Sequence, residues 1–171
     1  SLGADSVKQG TQSVLVGLVL ILIFMLIYYK AAGFIANFAL IWNILLVLAV
    51  LASLQATLTL PGIAALILTV GMSIDANVII FERIREELRK GKTPKAAVDA
   101  GYQRALTTIL DANITTLIAA LLLFIFGSGP IKGFSVTLGV GIFTTLFSVY
   151  FIARLLTSIY VIKNKNKEKL I

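Results

Sequence analysis

The chain has 171 residues, 58% of them hydrophobic and only 13% charged, with a mean hydropathy of +0.98. No soluble domain of this length needs that much apolar surface, so the bilayer is its solvent and an all-α membrane protein is expected. The net charge of +7 is gathered into loops rather than spread over a nucleic-acid face. The lack of cysteine excludes disulfides and thiolate metal sites, and the lack of histidine leaves carboxylates as the proton carriers near neutral pH.

A helix needs about 20 apolar residues to cross the hydrocarbon core. The uncharged run between Lys8 and Lys30 predicts a first span over about 11–30. The next uncharged stretch, from Ala31 to Ile74, is too long for one helix. Ser53-Leu54-Gln55-Ala56-Thr57 interrupts it and Pro61-Gly62 fits the first turn of a new helix, which predicts spans over about 34–54 and 58–82. A charged hairpin over 83–106 follows. In it the third helix runs on with a Glu86–Lys90 pair, Gly91 stops it, and Thr93-Pro94 starts a new helix as N-cap and first residue. Ala96, Ala97, Val98 and Tyr102 are expected on the membrane surface. Asp111 opens a fourth span over about 108–127, ended by Gly127-Ser128-Gly129-Pro130, and a fifth runs over about 133–160 before a basic tail, 163–171.

The fold class is therefore a bundle of five transmembrane helices. Arg83, Arg85, Arg89, Lys90, Lys92, Lys95 and Arg104 form one basic cluster and Arg154, Lys163, Lys165, Lys167 and Lys169 another, with Lys30 between the first two spans. Under the positive-inside rule this puts the N-terminus outside and the C-terminus in the cytoplasm. No signal peptide is visible, so starting outside implies an upstream translocating segment.

Asp75 stands out because it lies within a span, in Ile74-Asp75-Ala76-Asn77-Val78. The same triplet returns as Asp111-Ala112-Asn113. A carboxylate in hydrocarbon costs about 2.5–3.5 kcal/mol on insertion scales and usually marks an ion or proton path. The two triplets fall at similar depth on neighbouring antiparallel helices. Asp75 is the candidate ion site, with Asn77, Asp111, Asn113, Thr115 and Thr116 as a supporting polar cluster. Asp and Asn at i,i+2 do not share a helix face, so either Asp75 and Asn77 address different neighbours or Asn77 caps or packs while Asp75 lines the path. In the structural alternative Asp111 is a helix N-cap, and the Asn, Thr and Ser residues join helices by hydrogen bonds. Gly139-Val140-Gly141 and Thr144-Thr145 give the last span a face of small residues, and Gly71 and Ser73 do the same beside Asp75.

Pro61-Gly62-Ile63, Ile74–Val78, Phe81-Glu82-Arg83-Ile84, Glu86-Glu87-Leu88, Asp111–Leu117 and Gly129–Phe134 together resemble the bacterial SecD/SecF family of protein-export membrane subunits, on its SecD side, within the resistance-nodulation-division superfamily. The resemblance covers essentially the whole chain. Its opening residues, 1–10, resemble the junction with the large external domain of that family. The resemblance implies half of a pseudo-symmetric transmembrane domain, six spans in the full protein, SecF as partner, and association with the SecYEG channel and YajC. It implies a proton or sodium motive force acting on exported polypeptide at the plasma membrane, with Asp75 as the ion-relay residue and no other cofactor. No nucleotide-binding loop, metal-ligand cluster or catalytic triad is present, so no enzymatic activity and no nucleic-acid partner are expected. The competing classes are a non-conducting scaffold subunit and half of a small-molecule or lipid exporter.

Overall fold

The computed structural model describes residues 2–56, 59–164 and 171, with the side chain of Leu2 set aside. Thr57 and Leu58, and the tail lysines Lys165, Lys167 and Lys169, lie outside the described residues. The elements are α1 (Leu2–Ser53), α2 (Leu60–Arg89), α3 (Pro94–Phe126), α4 (Pro130–Phe147), a π-helical turn (Ser148–Ala153) and α5 (Arg154–Lys163). Through the π-helical turn, α4 and α5 form one helical stretch of 34 residues.

Among the described residues four helices, not the expected five, are long and apolar enough to cross a membrane. The reason is α1, which carries the first two expected spans in a single element of 52 residues. Its only non-helical residue is Lys30, at φ 53° and ψ −123°. Asn37 Nδ2 donates to Leu22 O at 2.9 Å, although residues 15 apart in a straight helix stand about 22 Å apart. The arms 2–29 and 31–53 therefore fold back on each other at Lys30. Gly33 makes this possible, because a Cβ there would collide with the Met25 carbonyl. The reversal is fastened to α2: Tyr29 donates its hydroxyl to Glu82 (2.9 Å), and Arg85 donates to both Glu82 (3.2 Å) and the Tyr28 carbonyl (3.0 Å). The Arg85 guanidinium also lies over the rings of Tyr28 and Tyr29, at 4.6 and 4.9 Å. These bonds hold Lys30 in a left-handed conformation that otherwise costs on the order of 1–3 kcal/mol.

The helix ends follow from local chemistry. The second arm of α1 closes with Ala56 N–H on Leu51 O and Gln55 N–H on Ala52 O, the paired bonds of a Schellman cap, with Gln55 at φ 55°. Thr59 caps α2 by accepting from Gly62 N at 3.2 Å, with Pro61 in the first turn. Thr93 does the same for α3, accepting from Ala96 N with Pro94 at the start, as expected. Gly91, at φ +91°, follows the end of α2.

α2 is the central element and packs on α1, α3 and α4. Its contact with α4 is close: Gly141 sits against Thr69 with no room for a Cβ, and Gly133 faces Thr59. Small residues let the backbones approach, which is the main source of helix association in lipid. Gly139 and Gly71 face open space, so the expected small-residue packing holds at Gly141 and Ser73 and not at those two. Asn43 Nδ2 donates to Thr145 Oγ1 at 3.0 Å and joins α1 to α4 inside the bundle. Ala97, Val98 and Tyr102, expected on the membrane surface, are fully buried against Ile84 and its neighbours; only Ala96 is exposed. Their spacing on α3 makes a face that covers the end of α2.

Candidate functional site

Asp75 opens onto a cavity of about 110 Å³ between α2 and α3. Met72, Asp75, Ala76 and Ile79 supply the α2 wall; Ile109, Ala112, Asn113 and Thr116 supply the α3 wall. Each set follows the i, i+3/i+4, i+7 spacing of one helix face. The cavity has the volume of a few water molecules, each of which takes about 30 Å³.

The polar atoms here are almost all acceptors. Asn113 Nδ2 donates to Ile109 O at 2.7 Å within its own helix, which leaves the buried Oδ1 with no partner in the protein. Thr116 Oγ1 donates its proton to Ala112 O at 3.0 Å, so only its lone pairs remain. With the Asp75 carboxylate these oxygens make a site rich in acceptors, in which the second Asn113 Nδ2 hydrogen is the remaining side-chain donor. Such a set suits a proton shared between oxygens or a small hard cation. Among the described residues no three His, Cys, Asp or Glu side chains group as metal ligands, so the site is not a multi-carboxylate centre.

The structure brings together only part of the predicted cluster. Asp75, Asn113 and Thr116 share the cavity. Asn77 points away from it: it is fully buried, donates to Ser73 O at 3.1 Å and keeps an unpartnered Oδ1. Asp111 is exposed and does not line the cavity. Nor is it an N-cap, because α3 runs unbroken from Pro94 and places it mid-helix. Thr115 is exposed and donates to Asp111 O at 2.9 Å. Asp75 itself is exposed at the edge of the cavity, so the described residues of this chain do not enclose it.

The family of protein-export membrane proteins described as "Protein export membrane protein SecD/SecF, C-terminal" matches residues 1–163. The chain belongs to the SecD/SecF family. It is 55% identical over 170 residues to protein translocase subunit SecD of Magnetococcus marinus, covering 99% of this chain and 32% of that protein. It is 54% identical over 168 residues to SecD of Calditerrivibrio nitroreducens, covering 98% and 32%. The crystal structure of SecDF from Thermus thermophilus, described as a translocon-associated membrane protein, superposes with a TM-score of 0.92 at 39% identity, over 95% of this chain and 23% of that one. The chain thus spans about a third of the length of the SecD relatives it matches, and it corresponds to their C-terminal membrane region.

Beyond the cavity, this SecD-type bundle carries an ion-pair knot that the sequence alone did not single out. Glu87, almost completely buried, pairs with Lys92 and Arg104 and with Lys90 at 3.5 Å. It replaces the expected Glu86–Lys90 pair; Glu86 pairs instead with Arg83 at 3.3 Å and Arg104 at 3.8 Å. The knot ties the end of α2 to α3 just beyond the cavity. A Glu-Glu step next to a basic turn was its only signal in the sequence.

Proposed function

We propose that this chain is the membrane-embedded, ion-coupled part of a Sec protein-export subunit, in which Asp75 binds and releases the coupling ion. The observation that carries this is the acceptor-rich cavity of Asp75, Asn113 and Thr116 between α2 and α3. A proton or sodium ion taken up there removes the charge that makes Asp75 costly in lipid, and its release restores that cost. One elementary charge crossing the membrane gains about 2.3 kcal/mol per 100 mV, enough to bias a two-state helix rearrangement. In this reading the energy drives late steps of export of a polypeptide across the plasma membrane, with no cofactor beyond the ion and no enzymatic step.

The exposed side of Asp75 supports a partner bundle, which we take to be SecF, closing over it. SecYEG and YajC are the further partners of this reading, and the basic end of the bundle lies in the cytoplasm with the N-terminus outside. The residues 1–10 lead from an external domain, 83–106 form the cytoplasmic hairpin and 163–171 the cytoplasmic tail. Asp75→Asn tests it: the variant is expected to insert and fold, yet export stimulated by the proton or sodium gradient falls to the unstimulated level. Collapsing the two gradients separately in the wild type identifies the ion. Full stimulated export by Asp75→Asn rejects the proposal and favours a scaffold held by contacts such as Gly141–Thr69.

A further inference from the structure

The free end of α5 is flanked by two apolar grooves, each with a lysine at its rim. On one side Phe34 and Phe38 of the second arm of α1 face Leu156 and Ile159 across a groove of about 340 Å³ that ends at Lys163. On the other, Val161 and Ile162 face Pro94 and Lys95 across about 550 Å³. The apolar walls are open: Phe34 is 65% exposed, Phe38 51% and Ile162 57%.

The three glutamates at this end of the bundle are already engaged. Glu82 holds Arg85, Glu86 holds Arg83, and Glu87 holds Lys90, Lys92 and Arg104. Asp99, one turn beyond Lys95 on α3, forms no ion pair among the described residues, and neither do Lys95 and Lys163. Two cations without an ion-pair partner among the described residues thus stand at the rims of mainly apolar grooves. A free anion has no use for the grooves, and a zwitterionic lipid offers no net charge to the lysines.

We propose that this end of α5 is a binding site for an anionic phospholipid, with acyl chains in the grooves on either side of the helix and the phosphate between Lys95 and Lys163. A basic residue near an anionic lipid surface contributes about 1 kcal/mol, or about fivefold in affinity. The site is independent of Asp75 and of the export reading.

Trp42, the only tryptophan of the chain, lies one turn beyond Phe38 and is 44% exposed, so it reports on this groove. The chain is reconstituted in vesicles of equal phosphatidylglycerol and phosphatidylcholine, with one or the other brominated, and Trp42 quenching is compared. Brominated phosphatidylglycerol is expected to quench about 25-fold more effectively as a relative association constant, about fivefold for each lysine. Lys95→Gln with Lys163→Gln is expected to bring the ratio close to one, while Lys132→Gln, at the opposite end, leaves it unchanged. If the double variant does not insert, Lys163→Gln alone is expected to lower the ratio about fivefold. Equal quenching by the two lipids in the wild type, or a preference that survives these substitutions, overturns the proposal.

Discussion

The two Asp-Ala-Asn triplets have the same three letters and opposite roles. In the first, Asp75 lines the cavity and Asn77 is buried away from it; in the second, Asn113 lines the cavity and Asp111 is exposed. Residues two apart on a helix stand about 200° apart, so only one end of each triplet can face the neighbouring helix. Because α2 and α3 present different faces to each other, the cavity receives one carboxylate and one amide rather than two carboxylates. Two facing carboxylates would repel when both are ionised and would pass protons as a coupled pair.

Exchanging the residues breaks this comparison most sharply at Asp75. Asp75→Asn is expected to abolish ion-stimulated export, whereas Asp111→Asn changes it less than about twofold, as for a surface substitution worth under about 0.5 kcal/mol; export by membrane vesicles compares them. Asn113→Leu keeps the shape and removes the acceptor, so the stimulated rate is expected to fall about tenfold, the order of one hydrogen bond to a charged group. Asn77→Leu, on the other face, is expected to leave the ion dependence of export unaltered. Gly141→Leu tests the closed α2–α4 face against the open α2–α3 face. Overpacking against Thr69 is expected to cost about 1–3 kcal/mol and to lower the thermal midpoint in detergent. Gly139→Ala, where nothing lies within 4 Å, should leave that midpoint where it is. The smallest effect belongs to Thr115→Val, which removes an exposed bond to its own helix and is expected to stay within about 0.5 kcal/mol.

Much of the fold was legible in the sequence because membrane helices announce themselves by apolar length. The starts at Pro61 and Thr93-Pro94 and the break at Gly127–Pro130 all fall where capping chemistry put them. In the sequence the charged Lys30 reads as a loop between two separate helices. It is instead a one-residue reversal that Gly33, Arg85 and Tyr29 make possible from positions distant in sequence or across the turn. Asp111 looked like a helix start because an apolar run begins there. The helix had already begun at Pro94, whose early turns are polar on one face and buried on the other. Of the site, Asp75 could be found from its cost in lipid, Asn113 as part of the second triplet and Thr116 from its nearness to that triplet. Which of the six polar residues share a cavity depends on how α2 and α3 are rotated about their axes, and apolar length carries no such information.

The most direct measurement is infrared difference spectroscopy of the chain in lipid, comparing low with high pH and sodium-free with sodium-loaded samples. A carboxyl C=O band that appears on proton uptake, or a carboxylate band that shifts with sodium, should be present in the wild type and in Asp111→Asn and absent in Asp75→Asn. A spectrum in which that band survives in Asp75→Asn, or in which no carboxyl group changes with either ion, would contradict Asp75 as the site where the coupling ion binds.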